Sequence, residues 1–112
     1  MTVAEIERKV RRILQDTELE YRWPSDEIRD ALQEGVYALN AIRPETRYVN
    51  GRLAGLIQLP TADDEPISLS NRYAEALVFY VVYKCYLDDD TDTVNQQLAE
   101  SYLGKFNTKA QL

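Results

Sequence analysis

The stretch that decides the fold is YAEALVFYVVYKCYL, residues 73–87. It contains neither Gly nor Pro, and such an apolar window predicts one unbroken helix. At ~100° per residue, its small and branched side chains fall on one side: Ala74, Leu77, Val78, Val81, Val82 and Cys85. Its aromatic side chains fall on the other: Tyr73, Phe79, Tyr80, Tyr83 and Tyr86. The helix is therefore apolar on two faces of different chemistry.

The aromatic face of this helix needs a cover. A tyrosine ring buries a large apolar area but keeps a hydroxyl that requires a partner, so tyrosine is enriched where proteins meet. Either other segments of the same chain cover this face, or part of it contacts another subunit. The second interpretation predicts a subunit interface made of these tyrosines and a candidate turn: Tyr73, Tyr80, Tyr83, Tyr86, Tyr48, Asn50 and Gly51.

Size and charge restrict the classes of protein to consider. The chain has 112 residues and a net charge of −6, which predicts a single domain over residues 1–112 and argues against a ligand held by phosphate neutralisation. The 73–87 run carries Glu75 and Lys84 and is shorter than the ~20 residues of a membrane span. The opening MTVAEIERKVRR lacks the apolar core of a secretory signal, so we expect a cytoplasmic origin.

The residue types of common catalytic and metal sites are missing from the sequence. There is no histidine, and the one cysteine is Cys85. This excludes a Ser-His-Asp triad, a Cys-His pair, a His-ligated metal and an intramolecular disulfide. The acidic residues 88–92 fail as an EF-hand loop, since Thr93 stands where glycine is required and Ala99 where glutamate belongs. We expect no enzyme, no cofactor and no metal.

Three further helices are predicted from capping residues and apolar spacing. Thr2 and Glu5 have the spacing of a capping box, and the first helix ends near Asp16. The second begins after Trp23, which is expected to fold back as an anchor in the core, and Pro44 closes it. The fourth follows residue 92 with an apolar residue at every fourth position, and residues 107–112 are predicted to be a flexible tail.

The region between the second and third helices, residues 46–67, has a different pattern. TRYVNGRLAGLIQL alternates loosely around Asn50–Gly51, the strongest signal for a two-residue hairpin turn. An isolated hairpin is marginal in water, so this one must lean on the helices or on another chain. The sequence thus predicts a mainly α fold: a small four-helix bundle with a short β-hairpin or extended segment between helices two and three.

Two charged regions stand out from the rest of the surface. A basic cluster lies largely off the apolar stripe of the first helix and is either a solvated face or a patch for an acidic protein or passing DNA: Arg8, Lys9, Arg11 and Arg12. Glu7 is placed to pair with Arg11 four residues on. Residues 60–66, PTADDEP, form an acidic loop bounded by prolines.

The order of these features resembles the small head–tail connector, or adaptor, proteins of tailed bacteriophages. The segments that carry the resemblance are ILQDT, RWPSDEIRDALQEGVYALNAIRP, GLIQLP and YAEALVFYVVYKCYLDDDTDTVNQQLAESYLGKF. They cover most of the chain, and the RWPSDE helix entry and the tyrosine-rich third helix followed by aspartates are the most specific. Many relatives carry a longer insertion before the third helix, where this chain has only PTADDEPISLS.

The resemblance implies a non-enzymatic virion protein, assembled in the host cytoplasm. It would form a ring, a dodecamer in related systems, that joins the portal protein to a tail or nozzle protein and leaves an axial passage for DNA. It also places Phe106, Asn107 and Leu112 in a tail that contacts the portal. A protomer charge of −6 would make the passage weakly repulsive to duplex DNA, so the acidic loops are expected to face the channel or solvent.

Two other classes stay open. One is a small cytoplasmic helical module that binds or regulates another protein, which a stable monomer or dimer indifferent to portal rings would favour. The other is a DNA-binding regulator using helices one and two as a helix-turn-helix, which requires salt-sensitive DNA affinity.

Overall fold

A computed structural model describes residues 1–18, 21–49, 52, 53, 55, 57–88 and 93–111. These residues form four α-helices: α1 (Val3–Leu14), α2 (Ser25–Ile42), α3 (Ala74–Asp88) and α4 (Thr93–Ala110). Single 3-10 turns cover Pro44–Arg47 and Asn71–Tyr73. The protein is mainly helical, as the sequence predicts, and the helices lie close to the predicted positions.

Helix α1 begins and ends through local backbone chemistry. The Thr2 hydroxyl accepts the N–H of Glu5 at 3.2 Å, which satisfies one of the unpaired donors of the first turn. Gln15 follows α1 with a left-handed φ of 56°. This conformation lets its N–H and that of Asp16 return to the last carbonyls of the helix, on Arg12 and Arg11, and directs the chain towards α2.

Helix α3 lies at the centre and packs against α1, α2 and α4. The Met1 amine donates to Asn71 just before α3, so α1 and α3 start at the same end and run parallel. Helices α2 and α4 run antiparallel to α3, as two ion pairs and two close contacts show: Glu34 with Lys84 and Gly35 with Tyr80 for α2, Lys109 with Glu75 and Phe106 with Tyr80 for α4. The chain therefore alternates in direction from helix to helix.

The core lies where these helices meet around α3. Its most deeply buried side chains come from all four helices: Ile6, Val10, Ile28, Leu32, Val36, Leu39, Leu77, Val81, Val82 and Phe106. Gly35 sits at the closest approach of α2 to α3, because a Cβ built on it would lie 2.9 Å from a ring carbon of Tyr80. A glycine in the middle of a helix is explained here by the room that the tyrosine ring needs.

Residues 57–63, which we call the connecting segment, form neither helix nor strand and hydrogen-bond to side chains of α2. The Gln33 amide donates to the carbonyl of Ile57 at 2.9 Å and accepts the N–H of Leu59 at 2.8 Å. The Asn40 carbonyl oxygen accepts the N–H of Ile57 at 3.1 Å. Farther along, Arg29 bonds the carboxylate of Asp63 at 2.6 Å. The connecting segment is thus fixed to α2 by polar side chains.

The predicted hairpin is only partly within the described residues. Strands β1 (Tyr48–Val49) and β2 (Arg52–Leu53) pair antiparallel, with Tyr48 opposite Leu53 and Val49 opposite Arg52. The proposed turn, Asn50–Gly51, lies outside the described residues, so the hairpin stays a prediction. The alternative that the sequence allowed, an extended segment, likewise stays a prediction.

The C-terminal segment differs from the prediction. Residues 107–110 were expected to belong to a flexible tail, but they form the last turn of α4, and Ala110 is fully buried. Arg43, which caps the end of α2, donates to the carbonyl of Ala110 at 2.8 Å and to that of Gln111. The buried alanine and these hydrogen bonds hold the end of the helix in place. Leu112 lies outside the described residues.

Candidate functional site

The aromatic side of α3 is partly covered by α4. The ring of Phe106 meets Tyr80 edge-on, with centroids 5.0 Å apart, and Tyr83 meets the same Tyr80 ring at 5.5 Å. Farther round the helix, Tyr102 lies between Phe79 and Tyr86, at 5.9 Å from each. The first of the two interpretations, cover by the same chain, therefore accounts for much of this face. Phe79, Tyr80, Tyr83 and Tyr86 nevertheless remain half-buried rather than buried.

Tyr73 does not contribute to an exposed surface. Its side chain is only 6% exposed and belongs to the core of its own protomer, in the 3-10 turn that leads into α3. The Arg72 guanidinium lies 5.2 Å from the centroid of its ring. The assignment of Tyr73 to a subunit interface is therefore corrected: the turn rotates this ring inward, whereas a continuous helix would place it beside Tyr80.

Tyr48 is the most exposed large hydrophobic residue of the described chain. It lies on β1 and is 58% exposed. Beside it, a cleft of about 600 Å³ separates β1 from the segment before α3, with Thr46, Leu69 and Arg72 among its lining residues. Asn50 and Gly51, predicted to share an interface with Tyr48, lie outside the described residues. The β1 end of the molecule thus presents an aromatic side chain next to an open cleft.

The residues assigned to a portal-contacting tail do not share one environment in the structure. Phe106 is 1% exposed and packs under Tyr80, so its assignment to a contact tail is corrected: it belongs to the core. Asn107 is exposed on the last turns of α4, and Leu112 lies outside the described residues. A residue at a four-residue interval with Tyr102 faces α3, which is why Phe106 is buried.

Trp23 lies in the core at 8% exposure, where sequence reasoning placed it, but the group that positions it was missed. The carboxylate of Asp16 accepts the N–H groups of Arg22 and Trp23 at 2.9 and 3.1 Å. Arg11, 5% exposed, donates to that carboxylate at 2.9 Å and to Glu7 at 3.2 Å. The predicted Glu7–Arg11 pair is confirmed, whereas Arg11 does not belong to a solvated face.

A groove runs between α1 and α4, with α3 as its floor. Two hollows of about 420 and 340 Å³ adjoin at Phe79. We call this surface the basic groove and define it by the residues that line it: Lys9, Arg12 and Ile13 from α1, Glu75, Val78 and Phe79 from α3, and Lys105, Thr108 and Lys109 from α4. The basic cluster predicted on α1 contributes Lys9 and Arg12 to one side of the groove. The α4 side was not predicted, because it comes next to α1 only when the helices pack.

The cations of the basic groove differ in their partners. Lys109 pairs with Glu75 at 3.3 Å. Lys105 is exposed and lies 4.5 Å from the centroid of Tyr102 and 5.8 Å from that of Phe79. Lys9 and Arg12 are exposed and form no ion pair with any residue that the structure describes. The groove therefore combines an aromatic floor with unpaired positive charge, a combination that attracts anionic groups.

Among the described residues, the side chains with shifted pKa values lie on α3. Burial raises the pKa of the Cys85 thiol to about 12, with Asp88 and Glu27 adding to the shift. Burial also raises the pKa of Tyr80, with Glu34 the next cause, and that of Tyr86, with Tyr102 the next cause. A neutral buried thiol is a poor nucleophile. Within the described ranges, no cluster of side chains suited to a metal ion is found.

Comparisons of the chain with protein families, curated proteins and solved structures found no match. In the part of the chain that the structure describes, no helix has the length and apolar character needed to cross a membrane.

Proposed function

We propose that this chain is a structural protein of a tailed bacteriophage virion, a head–tail connector whose copies form a ring between the portal and the tail. In this proposal each protomer is a four-helix bundle with a short hairpin between α2 and α3. The ring, dodecameric by the resemblance, binds the portal protein on one side and a tail or nozzle protein on the other. It is assembled in the host cytoplasm and has no enzymatic role.

The observation that carries the proposal is the contact between two segments of the resemblance, ILQDT and RWPSDE. Asp16 of the first accepts backbone N–H groups from Arg22 and Trp23 of the second. Arg11, two residues before the first segment, donates to Ser25 of the second at 3.3 Å. The two segments thus form one structural unit, the corner between α1 and α2. A shared unit of this kind supports the resemblance more than separate helix patterns do.

The surface chemistry supports an assembling protein. Tyr48 is largely exposed, and Tyr83 and Tyr86 remain half-buried after α4 has packed on α3. Partly exposed tyrosines are typical of residues that become buried when subunits meet. In the proposed ring, Tyr48 and these two tyrosines contact neighbouring protomers, and a candidate hairpin turn at Asn50–Gly51 extends the same contact.

Charge supports a passage for DNA through the ring. Each protomer carries −6, and duplex DNA carries one negative charge per ~1.7 Å. Weak repulsion lets the duplex slide without being held, and it acts only within ~8 Å of the wall at physiological salt. The proposal therefore requires acidic or neutral residues along the channel and no base-specific contact.

The test is reconstitution with the portal ring of the same phage. Mixing the two purified proteins and imaging the product by electron microscopy should show a ring of this chain beneath the portal, with α3 and α4 recognisable in the density. The Tyr48→Ala variant should bind less completely, whereas Glu100→Ala, at an exposed position of α4, should bind like the parent chain. Portal rings that remain bare at saturating protein would rule out the connector.

A second candidate function is a small helical module that binds another cytoplasmic protein. The cover that Phe106 and Tyr102 provide for α3 favours it, because a protomer with its aromatic side half-buried can persist alone. A monomer or dimer that ignores the portal but co-purifies stoichiometrically with one host or phage protein would select this function.

A further inference from the structure

Unpaired positive charge is concentrated in the basic groove. Lys9 and Arg12 of α1 and Lys105 of α4 line it without an ion pair to any described residue. Phe79 forms an apolar floor between them. Because the whole protein has a net charge of −6, only the side chains of the groove itself attract an anionic group. The ligand that fits this surface best is a segment with carboxylates beside an apolar residue.

Unpaired negative charge is presented by the loop at residues 61–65. Asp63 is already paired with Arg29 at 2.6 Å, and its carbonyl accepts the N–H of Ala4 at 3.1 Å. The next two residues, Asp64 and Glu65, are exposed and have no ion-pair partner among the described residues. The loop backbone is thus anchored to α1 and α2, and ordering two carboxylates on an anchored backbone costs less on binding than ordering a free tail.

The loop and the groove lie on different flanks of α1. Asp63 borders a hollow that it shares with Glu7, whereas the groove begins at Lys9. Glu7 and Lys9 are two positions apart, or ~200° around the helix. A protomer cannot bring its own loop to its own groove without unfolding the contacts of Asp63, but the loop of one copy can reach the groove of another. Such a head-to-tail contact closes into a ring when its rotation allows.

We propose that the basic groove binds residues 61–65 of a second copy of the chain, with Asp64 and Glu65 of one protomer facing Lys9, Arg12 and Lys105 of the next. The inference rests on the proposed function and deepens it by naming two surfaces that meet in the ring. It also moves this acidic loop from the channel or solvent, where the sequence placed it, to the interface. A second copy fits better than DNA because the floor of the groove, formed by α3, carries the Glu75 carboxylate beside the apolar Val78 and Phe79.

The first experiment reverses single charges on each surface. Lys105→Glu has a matched control in Arg8→Glu, an equal charge change on an exposed α1 residue outside the groove. Glu65→Lys has its control in Glu18→Lys, also exposed. Self-association is followed by sedimentation at low salt, since the Debye length is ~30 Å at 0.01 M and ~8 Å at 0.15 M.

Lys105→Glu and Glu65→Lys should each weaken self-association by roughly two- to fivefold, the fold-change that corresponds to ~0.4–1 kcal/mol for one exposed ion pair. An equimolar mixture of the two variants should regain it, because each then supplies the charge that the other lacks. The proposal is overturned by a parent chain that is monomeric at low salt up to its solubility limit. It is equally overturned if Lys105→Glu self-associates like Arg8→Glu, or if the mixture of the two variants does not regain self-association. It is also overturned if Lys105→Glu weakens DNA binding but leaves self-association unchanged.

A second measurement works even where a charge reversal perturbs the fold. Lys105→Cys and Glu65→Cys proteins, both with Cys85→Ser, are mixed under mild oxidation, and the disulfide-linked heterodimer is quantified. It should exceed that formed by Lys105→Cys with Glu18→Cys. Equal yields would refute the contact. Because neither assay contains portal, a failed portal reconstitution with positive cross-linking rejects the proposed function alone, and the reverse result rejects this inference alone.

Discussion

Arg11 and Asp16 form a buried ion pair, with the guanidinium donating to the carboxylate at 2.9 Å. The same carboxylate accepts two backbone N–H groups from the start of the next helix, and Tyr21 stacks on the guanidinium at 3.6 Å from its ring centroid. The Asp16 carboxylate therefore fixes the path of the chain from the end of α1 to the start of α2. A buried charge pair is favourable only when its remaining hydrogen-bonding positions are filled. Asp16 meets that condition, whereas the Nε of Arg11 is buried without a hydrogen-bond partner among the described residues.

Asp16→Ala should be the most destabilising single change at this corner. It removes the acceptor of two backbone donors and leaves Arg11 buried with one remaining carboxylate, so we expect a loss of ~3–5 kcal/mol in the free energy of unfolding. Glu7→Ala is the matched control, because Glu7 pairs with the same arginine from a more exposed position, and it should cost ~0–1 kcal/mol. Urea unfolding followed by circular dichroism measures both. Equal losses would show that Asp16 is an ordinary surface partner.

Gly35→Ala should destabilise the protein although alanine favours helices. The new methyl group would lie 2.9 Å from the Tyr80 ring, and overpacking of this kind costs ~1–3 kcal/mol, against ~1 kcal/mol gained in helix propensity. Gly104→Ala provides the control, since nothing lies within 4 Å of its added Cβ, and it should stabilise by ~1 kcal/mol. Thermal unfolding should therefore shift in opposite directions for the two variants. A stabilised Gly35→Ala would mean that Tyr80 moves aside at no cost.

The helices were predictable because their signals are local. The Thr2 cap, the position of Pro44 and the apolar spacing of α1, α2 and α4 depend on residues within a few positions of one another. The burial of Trp23 also followed from its place before a helix entry. What these signals leave open is which faces meet, and this is where the expectations for Tyr73 and Phe106 failed. The burial of Tyr73 depends on a 3-10 turn, and that of Phe106 depends on the packing of α4. Neither can be predicted from a local sequence pattern.

The polar interior was the part that sequence reasoning could not find. Arg11 lies among other basic residues and has the appearance of a surface residue, but its partner Asp16 comes from beyond the end of the helix. Similarly, residues 57–59 alternate like a strand, yet their backbone groups bond Gln33 and Asn40, far away in sequence. Side chain to backbone contacts across a fold leave no period in a sequence, so they appear only in the structure.

Gln33→Ala should loosen the connecting segment, residues 57–63, selectively. It removes the donor to Ile57 and the acceptor for Leu59, at ~1 kcal/mol for each hydrogen bond. Amide exchange at Leu59 should accelerate by ~5- to 30-fold, which corresponds to ~1–2 kcal/mol of local protection. The exchange rates of amides in the centre of α3 should change far less. Gln96→Ala, on an exposed position of α4, should leave Leu59 unchanged; uniform acceleration across the chain would instead indicate global destabilisation.

Cys85 should be unreactive in the folded protein. Burial raises the pKa of its thiol from 9.0 to about 12, which lowers the thiolate fraction near neutral pH by roughly a thousandfold. Alkylation by iodoacetamide, followed by mass spectrometry, should proceed only as fast as the protein opens, and low concentrations of urea should accelerate it. The control is Cys85→Ser with Glu100→Cys, whose thiol on the exposed side of α4 should react at the rate of a free peptide. Rapid native labelling of Cys85 would contradict its burial.

The same thiol makes stability depend on alkaline pH. Because the folded pKa of Cys85 is raised from 9.0 to about 12, the folded state keeps a proton that the unfolded chain releases. Its contribution is constant below pH 9.0 and is lost as the pH rises towards 12, by up to ~1.4 kcal/mol per pH unit. The raised pKa values of Tyr80 and Tyr86 act in the same direction. Urea unfolding at several alkaline pH values should therefore show a shallower decline for Cys85→Ala than for the parent chain, and parallel declines would show that the thiol titrates normally.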